Sequence, residues 1–315
     1  MLDQQTEKML SDMSEAGGPA LHEMPVADAR EALSSISEAL GCKDSQIFAA
    51  EDREIPGPNG PIPVRIYWPD TATPDQPRPL LIFYHGGGFA LGDIETHDSV
   101  TRYLCEKAGA IVISVGYRLA PENPFPAGVE DCYATLMWVS ENAGNLGGDG
   151  MRIALAGDSA GGNMTAAVCL MARERTGPHI SLQLLLYPCV DMVLETSYTS
   201  YEKFGGGEYF LGLEDMQWIR GMYFRDSEDA KDFRASPLLY PDLSNLPPAF
   251  IMTAGYDPLR DQGKHYADRL NEADVAVEYQ CFEGAIHGFL NFAGVLDIGK
   301  SGLNRIVRVM KDYLA

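Results

Sequence analysis

Short apolar runs alternate with longer helix-patterned stretches along most of the 315 residues, which predicts an α/β fold: a mostly parallel, doubly wound sheet with helices on both faces. Chemistry-bearing residues follow directly after several of the apolar runs, where open α/β sheets place their sites. One stretch of roughly sixty residues, between Leu186 and Ala249, breaks the rhythm; connections that long are usually functional, a lid for example.

Taken in order, residues 1–45 read as helical and precede the sheet. Met9, Leu10 and Met13 mark a short helix, which Gly17-Gly18-Pro19 separates from a second. There Val26, Ala29, Leu33, Ile36 and Leu40 recur on one face, and Gly41 is placed to end it. Strands are expected at Ile62–Trp68, Leu80–Tyr84, Ala110–Val115, Ile153–Ala156, Leu182–Leu186, Ala249–Thr253 and Val277–Phe282. Helices are expected at Asp98–Ala108, Val129–Asn142, Asn163–Arg175, Leu259–Ala273 and Leu303–Leu314. The last carries an apolar stripe, Leu303, Ile306, Val307, Met310, Tyr313 and Leu314, and should dock on the core.

Gly157-Asp158-Ser159-Ala160-Gly161 stands between a strand and a helix, the context of a nucleophile elbow. Gly157 and Gly161 suit a turn too tight for a Cβ at either place. Gly86-Gly87-Gly88 follows the Leu80–Tyr84 strand, and consecutive glycines leave backbone N–H groups unshielded, suited to an oxyanion. A phosphate loop is the poorer reading, because neither glycine-rich phosphate motif is present. Asp257 follows one strand and His287 another, so the chain order is Ser159, Asp257, His287.

Composition narrows the partners. With 45 acidic against 24 basic residues the net charge is −21, which disfavours nucleic acid and anionic membrane. No apolar run reaches the ~20 residues that span a bilayer, and Met1–Lys8 has no signal-peptide pattern. The six cysteines form no C-x-x-C pair, as expected of free thiols in a reducing compartment, so a cytoplasmic location is expected. No metal or cofactor is expected, since neither HExxH nor a comparable His/Cys cluster occurs.

His85-Gly86-Gly87-Gly88-Phe89, Tyr117 to Glu122, Gly157 to Gly162, Asp257 to Asp261 and His287-Gly288-Phe289 occur together in one order. In these motifs the chain resembles the hormone-sensitive-lipase-like carboxylesterases, α/β-hydrolases with an HGGG motif and a GDSAG elbow. The resemblance covers nearly the whole chain. It implies a catalytic core of residues 46–190 and 236–315, with a helical cap formed by residues 1–45 and an inserted segment at 191–235. It implies Ser159 as nucleophile, His287 as general base, Asp257 as the acid that orients it, and Gly87, Gly88 and Ala160 as oxyanion donors.

The residues themselves leave some roles open. Asp261 competes with Asp257 as the acid, although its place suits the start of the next helix. Phe89, Asp158, Phe210 and Trp218 are candidate substrate contacts, and Asp158 also reads as a brace of the elbow. His85 reads as a brace of the glycine loop, His22 as a pocket border or a surface residue, and Arg118 with Glu122 as an ion pair or loop brace. His97 carries no motif. The expected activity is hydrolysis of small short-acyl esters through an acyl-enzyme. An amidase or peptidase on the same triad and a non-catalytic small-ligand receptor are the alternatives. A homodimer paired through an edge strand at Val277–Phe282 is a further candidate.

Overall fold

The computed structural model describes residues 1–70, 76–193 and 197–315; residues 194–196, within the segment expected at 191–235, lie outside the described residues. Among the described residues, eight strands form one sheet: β1 (Ala49–Gly57), β2 (Gly60–Trp68), β3 (Arg78–Tyr84), β4 (Ile111–Val115), β5 (Gly148–Asp158), β6 (Leu182–Leu186), β7 (Ala249–Tyr256) and β8 (Val277–Ile286). Their spatial order is β1-β2-β4-β3-β5-β6-β7-β8. The β1–β2 and β2–β4 pairs are antiparallel, and every pair from β4 to β8 is parallel.

Central strands read as continuous apolar runs because both faces of the sheet are covered. In β3, Leu80, Ile82 and Tyr84 join one core cluster, while Leu81 and Phe83 join the other. Helices α4 (Ala127–Leu146) and α5 (Ala160–Glu174) pack on the first face, together with α8 (Arg260–Glu272). Helices α3 (Asp98–Ala108) and α9 (Asp297–Leu314) lie against each other on the second. The apolar stripe of α9 is buried at Leu303, Ile306, Val307, Met310 and Leu314, whereas Tyr313 is exposed, and the helix begins at Asp297, before the expected Leu303.

Strand β1 was not legible in the sequence. It is an edge strand in which only Ile55 is buried, so Glu51, Asp52, Arg53 and Glu54 carry no apolar pattern. Its position is set by register: a tight turn pairs Gly57 with Gly60 and zips the hairpin back to Ala49 against Trp68.

Among the described residues, four further α-helices lie outside this frame. Two precede the sheet, α1 (Gln4–Ala16) and α2 (Val26–Leu40), the latter ended at Gly41 as expected. Two fall within the long connection, α6 (Thr199–Phe204) and α7 (Leu213–Tyr223). Asp3 N–H donates to the Gly284 carbonyl of β8 at 3.0 Å, tying the N-terminal segment to the edge of the sheet. No helix among the described residues is long and apolar enough to cross a membrane.

Candidate active site

Strand β5 ends at Asp158 and α5 begins at Ala160, so Ser159 is the hinge between them. Its φ of 54° and ψ of −116° cost a non-glycine residue on the order of 1–3 kcal/mol, which the surrounding packing must sustain. A Cβ on Gly161 would strike the Tyr84 carbonyl oxygen, and one on Gly157 would strike the Gly161 carbonyl. The strained turn lifts Ser159 Oγ off the sheet at the N-terminal end of a helix.

His287 follows the end of β8 and reaches back to this hydroxyl. Its Nε2 lies 2.8 Å from Ser159 Oγ, and its Nδ1 lies 2.8 Å from Asp257 Oδ2. Asp257 is fully buried in the loop after β7, and its other oxygen accepts from Leu259 N–H at 2.8 Å. A carboxylate only accepts, so Nδ1 carries the proton and Nε2 is free to take one from the serine. Asp261 points elsewhere: its Oδ2 accepts from Ser200 N–H at 2.8 Å and anchors the start of α6.

The glycine loop is held mostly by its carbonyls. Tyr117 Oη donates to the His85 carbonyl at 2.7 Å, and Ala120 N–H to that of Phe89 at 2.9 Å. Arg30, from α2, donates Nε–H to the Ala90 carbonyl at 2.8 Å. His85 Nδ1 lies 2.8 Å from the Gly86 carbonyl and its ring stacks on Tyr117, so it braces the loop as expected. Burial lowers its pKa to about 4, which keeps it neutral. With these carbonyls engaged, Gly87 and Gly88 line the cavity beside Ser159 and Ala160.

That cavity encloses about 980 Å³, part of it open to solvent. Its lining comes from the sheet loops, from Leu21 and Leu33 of the N-terminal segment, and from Leu211, Met216 and Ile219 of the long connection. Phe89 and Phe210 line it, as expected. Phe89 stacks on Tyr223 at 4.0 Å between ring centroids, and Phe210 meets Phe292 edge-on.

Two expectations are corrected, and one residue is added. Trp218 is not among the cavity-lining residues; on α7 the neighbouring Met216 and Ile219 face the cavity instead, because a helix turns about 100° per residue. Arg118 and Glu122 do not pair with each other: Arg118 pairs with buried Asp131, and Glu122 with Arg30. His97 lines the cavity and pairs with Asp158, although no local motif marks it. Asp158 also lines the cavity, but its oxygens accept from Gly86 N–H at 2.7 Å and Asn291 Nδ2 at 3.3 Å, so it braces the elbow against the glycine loop. Leu21, Leu33 and Met216 also escaped the sequence reading, since apolar helix residues look alike whether they face a core or a cavity.

A strained serine hydrogen-bonded to a carboxylate-oriented histidine, beside a glycine loop, is the constellation of a serine hydrolase. The model of an α/β-hydrolase-fold family matches residues 81–291. The carboxylic ester hydrolase LipN of Mycobacterium tuberculosis is 44% identical over 270 residues, 84% of this chain and 70% of that protein. The ethyl acetate hydrolase of Pseudomonas putida is 32% identical over 296 residues, 93% of this chain and 92% of that protein. The hyperthermophilic esterase of the archaeon Pyrobaculum calidifontis has a TM-score of 0.94 at 40% identity, covering 99% of this chain and 98% of that one. The chain belongs to the hormone-sensitive-lipase-like carboxylesterases of the α/β-hydrolase fold and is a carboxylic ester hydrolase.

Proposed function

We propose that Ser159, His287 and Asp257 hydrolyse small, short-acyl carboxylic esters through an acyl-enzyme. The observation that carries this reading is the unbroken relay from Ser159 Oγ through His287 to Asp257, each step 2.8 Å long. His287 Nε2 takes the serine proton as Oγ attacks the ester carbonyl, then delivers it to the leaving alcohol. The N–H groups of Gly87, Gly88 and Ala160 stabilise the oxyanion, with the N-terminus of α5 adding its dipole. Water, deprotonated by His287, then releases the acid and restores Ser159.

The mostly apolar cavity favours uncharged acyl and alcohol groups. The similarity to an ethyl acetate hydrolase supports short acyl chains over long ones. The helices of residues 1–45 and 191–235 act as a cap over the core of 46–190 and 236–315, supported by the cavity wall that both provide. Unpaired cysteines support a cytoplasmic location. The edge position of β8 supports a homodimer paired through Val277–Phe282.

Hydrolysis of p-nitrophenyl esters from acetyl to palmitoyl, with Ser159→Ala beside the natural protein, tests the reading. Activity that peaks at short chains and vanishes in the variant is expected. Activity retained in Ser159→Ala would remove the serine from the mechanism. Cleavage of the matching anilides but not the esters would make the protein an amidase.

A further inference from the structure

We propose that His97 is a positioning residue for ester hydrolysis: held as an imidazolium, it neutralises Asp158 and thereby keeps the Gly86–Gly88 backbone where the oxyanion forms. The inference rests on the hydrolase reading of the site, but its first test needs no activity.

His97 immediately precedes α3 and is 3% exposed, yet it borders the catalytic cavity. Its Nε2 lies 3.1 Å from Asp158 Oδ1 and 3.3 Å from Oδ2. The same Asp158 Oδ1 accepts the Gly86 N–H at 2.7 Å. One buried carboxylate therefore links the residue before the nucleophile to the start of the glycine loop, and His97 is its cationic partner.

Hydrogen-bond bookkeeping argues for the charge. Thr96 Oγ1 donates its single proton to the Asp93 carbonyl at 2.8 Å, so toward His97 Nδ1, 2.9 Å away, it can only accept. Nδ1 must carry a proton. Nε2 lies 3.1 Å from Asp158 Oδ1 and 3.3 Å from the Gly86 nitrogen; the Gly86 proton goes to Asp158 Oδ1 at the shorter 2.7 Å, which leaves Nε2 to donate a proton of its own to the carboxylate. The titratable groups around the ring agree. Burial by itself would lower the His97 pKa, but Asp158 and the nearby Asp93 raise it above the ordinary value. His85, 5.7 Å away between ring centroids, stays neutral with its pKa at about 4 and adds no competing charge.

The consequence is electrostatic. A buried carboxylate next to the nucleophile would repel the oxyanion developing on the substrate, and an unpaired buried charge is costly in any case. With the imidazolium beside it, Asp158 can hold Gly86 without opposing the reaction. The other carboxylate of the site, Asp257, is committed to His287.

The first experiment is ¹⁵N NMR of histidine-labelled protein. His97 is expected to show directly bonded protons on both ring nitrogens at neutral pH and to lose one only above the ordinary histidine value. A neutral His97 at neutral pH would overturn the proposal, whatever the variants do.

The second experiment is kinetic. His97→Gln is expected to lower kcat by about tenfold or more with KM little changed, short of the roughly hundredfold to thousandfold loss of a missing oxyanion donor. Adding Asp158→Asn to it should restore part of kcat, because an amide oxygen still accepts from Gly86 and the uncompensated charge is gone. Asp158→Asn alone should move the alkaline limb of kcat to lower pH, since His97 loses the charge that keeps it protonated. Wild-type kcat in His97→Gln, or no change of the limb in Asp158→Asn, would overturn the proposal. If the natural protein hydrolyses no ester at all, the functional reading fails while the NMR result still decides the charge of His97.

Discussion

His22 Nδ1 lies 2.8 Å from Asp215 Oδ1, and its Nε2 lies 3.1 Å from Glu214 Oε2. The two ends of this clasp are 193 residues apart in sequence. His22 belongs to the short turn before α2, and Asp215 to the first turn of α7. The neighbouring Leu21 and Met216 both line the cavity, so the clasp joins two parts of its wall.

Because the bond to Asp215 raises the His22 pKa above 6.5, the clasp should respond to pH. A group whose pKa is raised on folding contributes its full stabilisation below the ordinary value and loses it as pH rises through the raised one. Amide exchange in residues 197–235 should therefore quicken as pH rises through that window, beyond the intrinsic rate change. His22→Ala should exchange fast throughout. A natural protein that follows only the intrinsic rate would show that the clasp does not hold α7 against the N-terminal segment.

Asp257→Asn should lower kcat by on the order of 10⁴ with the fold intact. The amide oxygen can still accept from Leu259 N–H, but its NH₂ group facing His287 favours the wrong tautomer. Circular dichroism and steady-state kinetics on one preparation check this. An unchanged rate would transfer the acid's role away from Asp257.

Gly88→Ala should cost roughly 10²–10³ in kcat, the magnitude of a lost oxyanion donor. Gly88 has a φ of 61°, and a Cβ there would overlap the Ile219 side chain, which α7 lays directly on the glycine loop. Gly88→Ala/Ile219→Ala should regain part of the loss by removing the overlap while the φ strain remains. Equal rates in the single and double variants would mean that contact with α7 is not what displaces the loop.

Arg30 joins α2 to the glycine loop and to the Tyr117–Glu122 loop, donating to the carbonyls of Ala90 and Ala120 and to both oxygens of Glu122. Arg30→Ala should destabilise the fold by about 1–3 kcal/mol, chiefly through the two carbonyls it leaves, and should lower kcat several-fold by loosening the glycine loop. The arginine holds the Glu122 carboxyl down at about 2. That depressed value adds stability above 4.5 that fades as pH falls toward 2, and solvent exposure keeps it below about 1 kcal/mol. Thermal melts of both proteins at neutral and acid pH read the two effects.

Local sequence determined strands β2 to β8, the elbow and the order of Ser159, Asp257 and His287, because each is marked by a few adjacent residues. An apolar run ends, a glycine turn follows, and the reactive group stands in the turn. The apolar stripe of α9 was legible for the same reason, since its spacing is local.

Tertiary structure decided what depends on distant partners. β1 exists because β2 offers it a ladder, not because its charged residues favour extension. His97 has no neighbouring motif, and its meaning comes from Asp158, 61 residues away. Met216 and Ile219 rather than Trp218 face the cavity because the phase of α7 is set by what the helix packs against. Arg118 pairs with the buried Asp131 of α4 and Glu122 with Arg30 of α2 instead of with each other, contacts that no local spacing marks. Spacing along a chain records which residues share a turn or a face; charge pairing, strand register and the lining of a cavity depend on which faces meet once the sheet and its helices have packed.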